Sequence, residues 1–233
     1  MSLFKNVTRT MVDIKISQHS SARAILHHNK QFVPHNSNEE SQMHHKVGVV
    51  FVAGVGSGVL GPCGSYQTMS DMLAEEYPNV YALRVDMQDT SDMDGCVKEC
   101  LHASKYLAKE CGVKKVIYIG WSFGGAVVIR AGVSDTSMVA GVVTLATQTY
   151  GATSSILKYP VDLPILFIHG TQDTCLSFKC SKQLFEMCSS TKKELQLVEG
   201  DNHGFTNDID GLVRRVTQFC KKIIEEYSTE RAL

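Results

Sequence analysis

From residue 47 onward, short continuous apolar runs alternate with longer segments of helical character. Apolar runs of this length between turn residues are typical of strands buried on both faces. The predicted strands lie at 47–53, 80–85, 116–120, 139–146, 165–168 and 195–198. The predicted helices lie at 66–77, 92–109, 122–132, 178–187 and 209–227. This alternation predicts a mostly parallel central sheet with helices on both faces.

The first 46 residues have a different pattern. Residues 11–16 alternate apolar and polar positions, and 22–26 follow after polar turn residues, which predicts an antiparallel hairpin. The polar stretch 27–46 is predicted to be a long surface loop. Its histidines are His27, His28, His35, His44 and His45. Their spacing is irregular and no nearby cysteine frames a site, so we favour a solvated loop over a metal site.

Length and composition indicate a single globular domain over residues 1–233. Of these residues 43% are hydrophobic, and the net charge is −1, which gives no electrostatic reason to expect nucleic acid or an anionic membrane as a partner. No apolar run reaches the ~18 residues of a membrane span, and the N-terminus lacks the apolar segment of a signal peptide. We therefore expect a cytoplasmic protein whose eight cysteines are mostly reduced. The sequence leaves the oligomeric state open.

The most informative motif is Gly-Trp-Ser-Phe-Gly at 120–124. It follows a predicted strand and opens a predicted helix, which is the context of a nucleophile elbow. Small flanking residues let the strand and the helix approach closely, and the sharp turn exposes the serine. The motif therefore predicts Ser122 as a nucleophile. A serine that only caps the helix would not explain the glycines on both sides.

A serine nucleophile needs a base, and the base is oriented by an acid. His203 follows the last predicted strand, and Asp173 lies in the loop after the preceding one. The chain order Ser, Asp, His is the one expected of α/β-hydrolases. Asp201 and Asp208 are rival acids, but they flank His203 closely in sequence and better fit loop or helix-cap roles. We interpret His169, which precedes the turn that carries Asp173, as structural.

Three motifs resemble those of the α/β-hydrolase superfamily, most closely its small serine esterases and dienelactone hydrolases with little or no cap. They are Gly-Trp-Ser-Phe-Gly-Gly at 120–125, His-Gly-Thr-Gln-Asp at 169–173 and Gly-Asp-Asn-His-Gly-Phe at 200–205. The resemblance extends from about residue 47 to the C-terminus. It implies an α/β-hydrolase fold with a mostly parallel central sheet, an N-terminal antiparallel hairpin and no large cap domain.

The resemblance also implies an oxyanion hole of two backbone N–H groups. One belongs to Phe123, directly after the nucleophile. The second is assigned to Val55, with Gly56 as the alternative, in the loop after the first strand of the parallel sheet. Superfamily members often begin this loop with His-Gly, whereas here Ala53 replaces the histidine. A nucleotide-binding role for this glycine-rich loop is disfavoured, because it lacks both the dinucleotide-binding spacing and the Lys-Ser/Thr ending of a P-loop.

The expected function is hydrolysis of a carboxylic ester or related acyl bond through an acyl-enzyme on Ser122, without a metal or a cofactor. The connection 147–164 is too short for a cap domain, so the expected substrate is a small-molecule ester or an acyl group on a larger molecule. Thioesters and amides fit the same triad, which leaves a thioesterase or a peptidase as alternatives. A non-catalytic binding protein on a hydrolase fold is the alternative from another class.

Overall fold

The computed structural model describes residues 4–31 and 45–229, and within them eight strands form one sheet. The strands are β1 (Val7–Lys15), β2 (Ser21–Asn29), β3 (Val47–Val52), β4 (Val80–Asp86), β5 (Lys115–Trp121), β6 (Val139–Leu145), β7 (Ile165–Gly170) and β8 (Lys193–Val198). The helices are α1 (Ser65–Glu76), α2 (Met93–Cys111), α3 (Phe123–Ser134), α4 (Thr153–Ile156), α5 (Lys179–Met187) and α6 (Ile209–Thr229).

The strands follow the order β1-β2-β4-β3-β5-β6-β7-β8 across the sheet. The β1–β2 and β2–β4 pairs are antiparallel, and the remaining pairs are parallel. The predicted mostly parallel sheet with an N-terminal antiparallel hairpin is therefore confirmed. The chain moves from β3 to β4 on one side and returns to β5 on the other. This reversal opens a crevice at the carboxyl ends of β3 and β5, where sheets of this kind bind ligands.

The central strands are buried on both faces, which explains their continuous apolar runs. All six residues of β3 are buried. Val50 and Tyr118 belong to the core that the sheet forms with α2 and α3. Phe51 and Ile117 belong to the core on the opposite face, which includes side chains of α1 and α6. The sheet is thus the middle layer of three. The loops that lead from the parallel strands to the helices lie at its carboxyl edge.

The first residues of the predicted surface loop at 27–46 belong to a strand, because β2 continues to Asn29. Residues 32–44 of that prediction lie outside the described residues. His27 is completely buried, and its Nδ1 lies 2.8 Å from Oδ1 of Asp71 in α1. A buried histidine requires a hydrogen-bonding partner. That partner lies on a helix 44 residues away in sequence, so the local polar pattern did not reveal the strand.

Two short elements were also missed by the hydrophobic pattern. They are α4 and a 3-10 turn at Pro62–Gly64, both too short to show the period of an amphipathic helix. Elsewhere the predicted elements exist and their ends differ by a few residues. Across 4–31 and 45–229, no helix combines the length and apolar character needed to cross a membrane.

Candidate active site

Three loops at the carboxyl edge of the sheet bring the predicted triad into one region. Ser122 follows β5, Asp173 follows β7 and His203 follows β8. His203 Nδ1 lies 2.7 Å from Asp173 Oδ2. Trp121 Nε1 donates a 2.9 Å hydrogen bond to the His203 carbonyl, and the two rings are 5.3 Å apart. The histidine loop is therefore held against the residue that precedes the serine.

Ser122 occupies the sharp turn that the sequence predicts to be a nucleophile elbow. Its φ is 56° and its ψ is −118°, a conformation that L-residues rarely adopt and that is common at functional sites. Its N–H donates to the Leu145 carbonyl at 2.8 Å, and its own carbonyl accepts from the Gly125 N–H at 3.0 Å. Among the described residues, Ser122 Oγ makes no hydrogen bond with His203. Nucleophile–base hydrogen bonds are often long until substrate binds.

Close packing around the elbow explains two of its glycines. A Cβ at Gly124 would lie 2.3 Å from the Val52 carbonyl oxygen, and one at Gly120 would lie 2.2 Å from the Gly124 carbonyl oxygen. Both obstacles are backbone atoms, which cannot rotate away. The first turn of α3 therefore rests directly on β3 and β5 only because these positions lack side chains.

Asp173 is the most heavily hydrogen-bonded group of the site. Its side chain is fully buried, and its Oδ1 accepts 2.8 Å hydrogen bonds from the N–H groups of Cys175 and Leu176. Burial alone would raise the pKa of Asp173, but the Leu176 N–H, His203 and the Cys175 N–H together hold it below its ordinary value. Asp173 is therefore a carboxylate at neutral pH, which is the state that its predicted role of orienting a histidine requires.

His169 contacts the second oxygen of the same carboxylate. Its Nε2 is 3.0 Å from both Asp173 Oδ2 and the Leu176 carbonyl oxygen. Both neighbours are acceptors, so Nε2 carries the hydrogen and Nδ1 accepts from Ser181 Oγ at 2.7 Å. Burial lowers the pKa of His169, which keeps it neutral. Sequence reasoning assigned His169 only a structural role, although its position four residues before the acid was a usable signal.

The rival acids have other partners. Asp201 Oδ1 accepts from the N–H groups of Asn202 and Asn207 and shapes the histidine loop. Asp208 caps the first turn of α6 through the Gly211 N–H. Of the three aspartates proposed from the sequence, Asp173 is the one whose carboxylate contacts His203.

The two backbone groups assigned to the oxyanion hole lie on either side of the elbow. Phe123 is the first residue of α3, where N–H groups are left without intrahelical acceptors. Val55 belongs to a turn closed by a 3.2 Å hydrogen bond from the Ser57 N–H to the Gly54 carbonyl. A Cβ on Gly54 would lie 3.2 Å from Ser122 Cβ, so this turn passes over the serine. Within the described residues, neither the Phe123 N–H nor the Val55 N–H donates a hydrogen bond.

The structure assembles no metal site from the residues it describes: no three histidine, cysteine, aspartate or glutamate side chains there are grouped to hold an ion. His27 and His28 lie in β2, and the His45 ring contacts Tyr227. His35 and His44 lie outside the described residues.

A family model places this chain among known proteins. The model of the dienelactone hydrolase family matches residues 69–232, which is more than half of the chain and includes Ser122, Asp173 and His203. The chain belongs to the dienelactone hydrolase family. The family resemblance inferred from the three motifs is thereby confirmed.

Solved structures agree on the fold. A dienelactone hydrolase from Anabaena variabilis superposes with a TM-score of 0.74 at 18% identity, covering 95% of this chain and 99% of its own. Est1E from Butyrivibrio proteoclasticus has a TM-score of 0.71 at 16% identity, with 92% and 99% covered. An α/β serine hydrolase without a lid from Xanthomonas campestris has a TM-score of 0.69 at 12% identity, with 92% and 94% covered. The predicted α/β-hydrolase fold is confirmed.

In this family member, the loops beside the elbow present apolar side chains to solvent. Val55 and Leu60 lie on the loop after β3, and Tyr150 and Leu157 lie on the connection after β6. Because β5 lies between β3 and β6 in the sheet, the loops that carry these side chains lie on either side of the loop that carries Ser122. The connection after β6 contains only the four-residue helix α4, which agrees with the expected absence of a cap.

The packing at the elbow predicts that Gly124→Ala destabilises the protein by roughly 1–3 kcal/mol, the usual cost of forcing an extra carbon into a packed interior. Gly204→Ala is the matched control, because the nearest atom to its added carbon would lie at 3.5 Å. Urea unfolding of both variants measures the difference. Equal stabilities would show that β3 and α3 can separate without cost.

The depressed pKa of Asp173 predicts a specific pH dependence of stability. The folded-state pKa lies below the unfolded one, so the carboxylate contributes stability that is present above about pH 4 and lost as the pH falls further. The free energy of unfolding of wild type should therefore fall more steeply than that of Asp173→Asn between about pH 5 and pH 2. Urea titrations at a series of pH values measure both curves, and parallel curves would contradict this assignment.

Proposed function

We propose that the protein is a serine hydrolase that cleaves carboxylic esters through an acyl-enzyme on Ser122. The observation that carries this proposal is the buried Asp173 carboxylate at 2.7 Å from His203 Nδ1. The loop that carries His203 is in turn hydrogen-bonded to Trp121, next to the strained Ser122. Since Nδ1 donates to a carboxylate, the neutral His203 ring has its lone pair on Nε2. This nitrogen is the one that accepts a proton in a serine triad.

The proposed reaction has two halves. The Ser122 hydroxyl attacks the ester carbonyl while His203 Nε2 takes its proton, and the N–H groups of Phe123 and Val55 donate to the resulting oxyanion. The tetrahedral intermediate expels the alcohol, which receives the proton from His203. Water then attacks the acyl-enzyme by the same route and releases the acid. Asp173 remains ionised throughout and stabilises the imidazolium.

The proposed substrate is a small ester with an apolar acyl or alcohol group. The four exposed apolar side chains on the loops after β3 and β6 favour such a group, and the connection after β6 is too short to form a cap. Two of the similarities suggest probes: a lactone, from the name of the family, and a feruloyl ester, because Est1E binds ferulic acid. Thioesters and peptides use the same triad chemistry, so a substrate panel decides among the acyl bonds.

Ser122→Ala should leave a folded protein that lacks ester hydrolysis and is not labelled by a fluorophosphonate. Losing a triad nucleophile costs on the order of 10⁶ in turnover in subtilisin. Mass spectrometry of the labelled wild-type protein should locate the phosphonate on Ser122. A wild-type protein that is neither labelled nor active on any member of the panel would favour a binding protein on a hydrolase fold.

Asp173→Asn should lower turnover strongly, by about 10⁴, which is the loss that the same change of acid to amide causes in a serine protease triad. The physical reason is that an amide selects the wrong histidine tautomer. Asp201→Asn is the matched control: Asp201 is also buried, and an amide oxygen still accepts from Asn202 and Asn207. Steady-state kinetics at one pH rank the two variants. A greater loss in Asp201→Asn would place the acid in the histidine loop.

A further inference from the structure

A chain of charged and polar side chains is buried beneath the loop that carries Val55. Arg84 of β4, His27 of β2 and Asp71 of α1 are each at most 2% exposed. Arg84 Nε donates to His27 Nε2 at 2.9 Å, and His27 Nδ1 lies 2.8 Å from Asp71 Oδ1. Arg9 closes the outer end with hydrogen bonds of 2.9 and 2.7 Å to the two oxygens of Asp71.

The direction of these hydrogen bonds fixes the protonation of His27. Arginine can only donate, so His27 Nε2 is an acceptor and Nδ1 donates to Asp71. Burial, reinforced by the charges of Arg84 and Arg9, lowers the pKa of His27 despite the carboxylate, which keeps the ring neutral. Burial would raise the pKa of Asp71, but its hydrogen bonds to His27 and Arg9 lower it. The chain therefore holds the Arg84 guanidinium in one fixed orientation.

The inner end of this chain reaches the loop after β3. Arg84 Nη1 donates a 3.1 Å hydrogen bond to the Val59 carbonyl. The next residue, Leu60, donates its N–H to the Ser57 carbonyl at 3.1 Å. Ser57 in turn closes the turn that contains Val55. A continuous series of contacts thus runs from Arg84 to the turn beside Ser122.

The loop needs such support because of its composition. Gly56, Gly58 and Gly61 all have positive φ, and glycine loses more conformational freedom on ordering than any other residue. Ala53, at the start of the loop, offers no polar side chain. Buried ion pairs are weak contributors to stability, and apolar replacements are often as stable. Stability alone therefore explains a buried arginine here less well than a role in fixing the position of the Val59 carbonyl.

We propose that Arg84, oriented by His27 and Asp71, is a positioning residue that holds the oxyanion loop so that the Val55 N–H faces the reacting carbonyl. This role rests on the proposed serine hydrolase function. It gives a catalytic consequence to a cluster on the far side of β3 from the triad.

The test compares Arg84→Met with Arg9→Met. The first removes the hydrogen bond to Val59, and the second removes only the outer arginine. Complete loss of an oxyanion donor costs about 10²–10³ in kcat, so a displaced donor should lower kcat of Arg84→Met roughly ten- to a hundredfold with little change in KM. Affinity for a boronic acid transition-state analogue should fall in parallel. Arg9→Met should retain kcat close to wild type.

Amide hydrogen exchange provides a readout that does not depend on activity. Arg84→Met should exchange faster than both wild type and Arg9→Met across residues 53–61. If Arg84→Met does not fold, Arg84→Lys replaces it, because a lysine cannot donate to His27 and Val59 with the same fixed geometry.

Unchanged kcat in the folded Arg84 variant overturns the positioning role, whatever the unfolding midpoint of that variant, because a purely structural role would change only stability. A fall in kcat without faster exchange at 53–61 also contradicts it. If the wild type has Ser122-dependent activity, these results leave the proposed function standing. If the wild type has no Ser122-dependent activity, the proposed function fails. The positioning role then fails as well, even if hydrogen exchange shows that Arg84 orders the loop.

Discussion

The site depends on how closely α3 approaches the sheet. The Gly124 backbone rests on the Val52 carbonyl, which brings the first turn of α3 directly over the ends of β3 and β5. The chain can pass from β5 into a helix so close to the sheet only through a sharp turn, and Ser122 takes the positive φ that this turn requires. The strain stays in place because the turn is packed against the β3 backbone and is hydrogen-bonded through both its N–H and its carbonyl. The same approach sets the Phe123 N–H beside the serine.

Asp173 illustrates how a buried charge is made tolerable. Removing a carboxylate from water is costly unless hydrogen bonds replace its hydration. Here two backbone N–H groups satisfy one oxygen, and two histidines satisfy the other. Because His169 is neutral, it donates a hydrogen bond without adding a second positive charge, which in the proposed mechanism would compete with the His203 imidazolium. The Asp173 carboxylate is thus fixed in position, and its negative charge remains available to His203.

The sequence predicts those elements whose determining residues lie close together along the chain. The apolar runs at 47–53 and 116–120 become β3 and β5 because buried parallel strands need apolar side chains on both faces. The elbow at 120–124 was visible because its glycines and serine are close together in sequence. His169 as a partner of Asp173 and Arg84 as a partner of His27 were not visible, because each contact depends on how the sheet and its loops assemble. The polar pattern places His27 in a loop for the same reason.

In this fold, apolar side chains and buried charged groups have different roles: the former stabilise the sheet, and the latter position loops. The two apolar cores on either face of the sheet supply most of the burial, and they extend over the whole length of the central strands. The buried charges are fewer, and two of them hold backbone near the carboxyl edge: Asp173 binds the turn at Cys175 and Leu176, and Arg84 binds the carbonyl of Val59. A buried charge is an inefficient way to stabilise a fold, but its hydrogen bonds are short and directional. Loops that must place an N–H or an imidazole accurately therefore benefit from charges that an apolar contact could not replace.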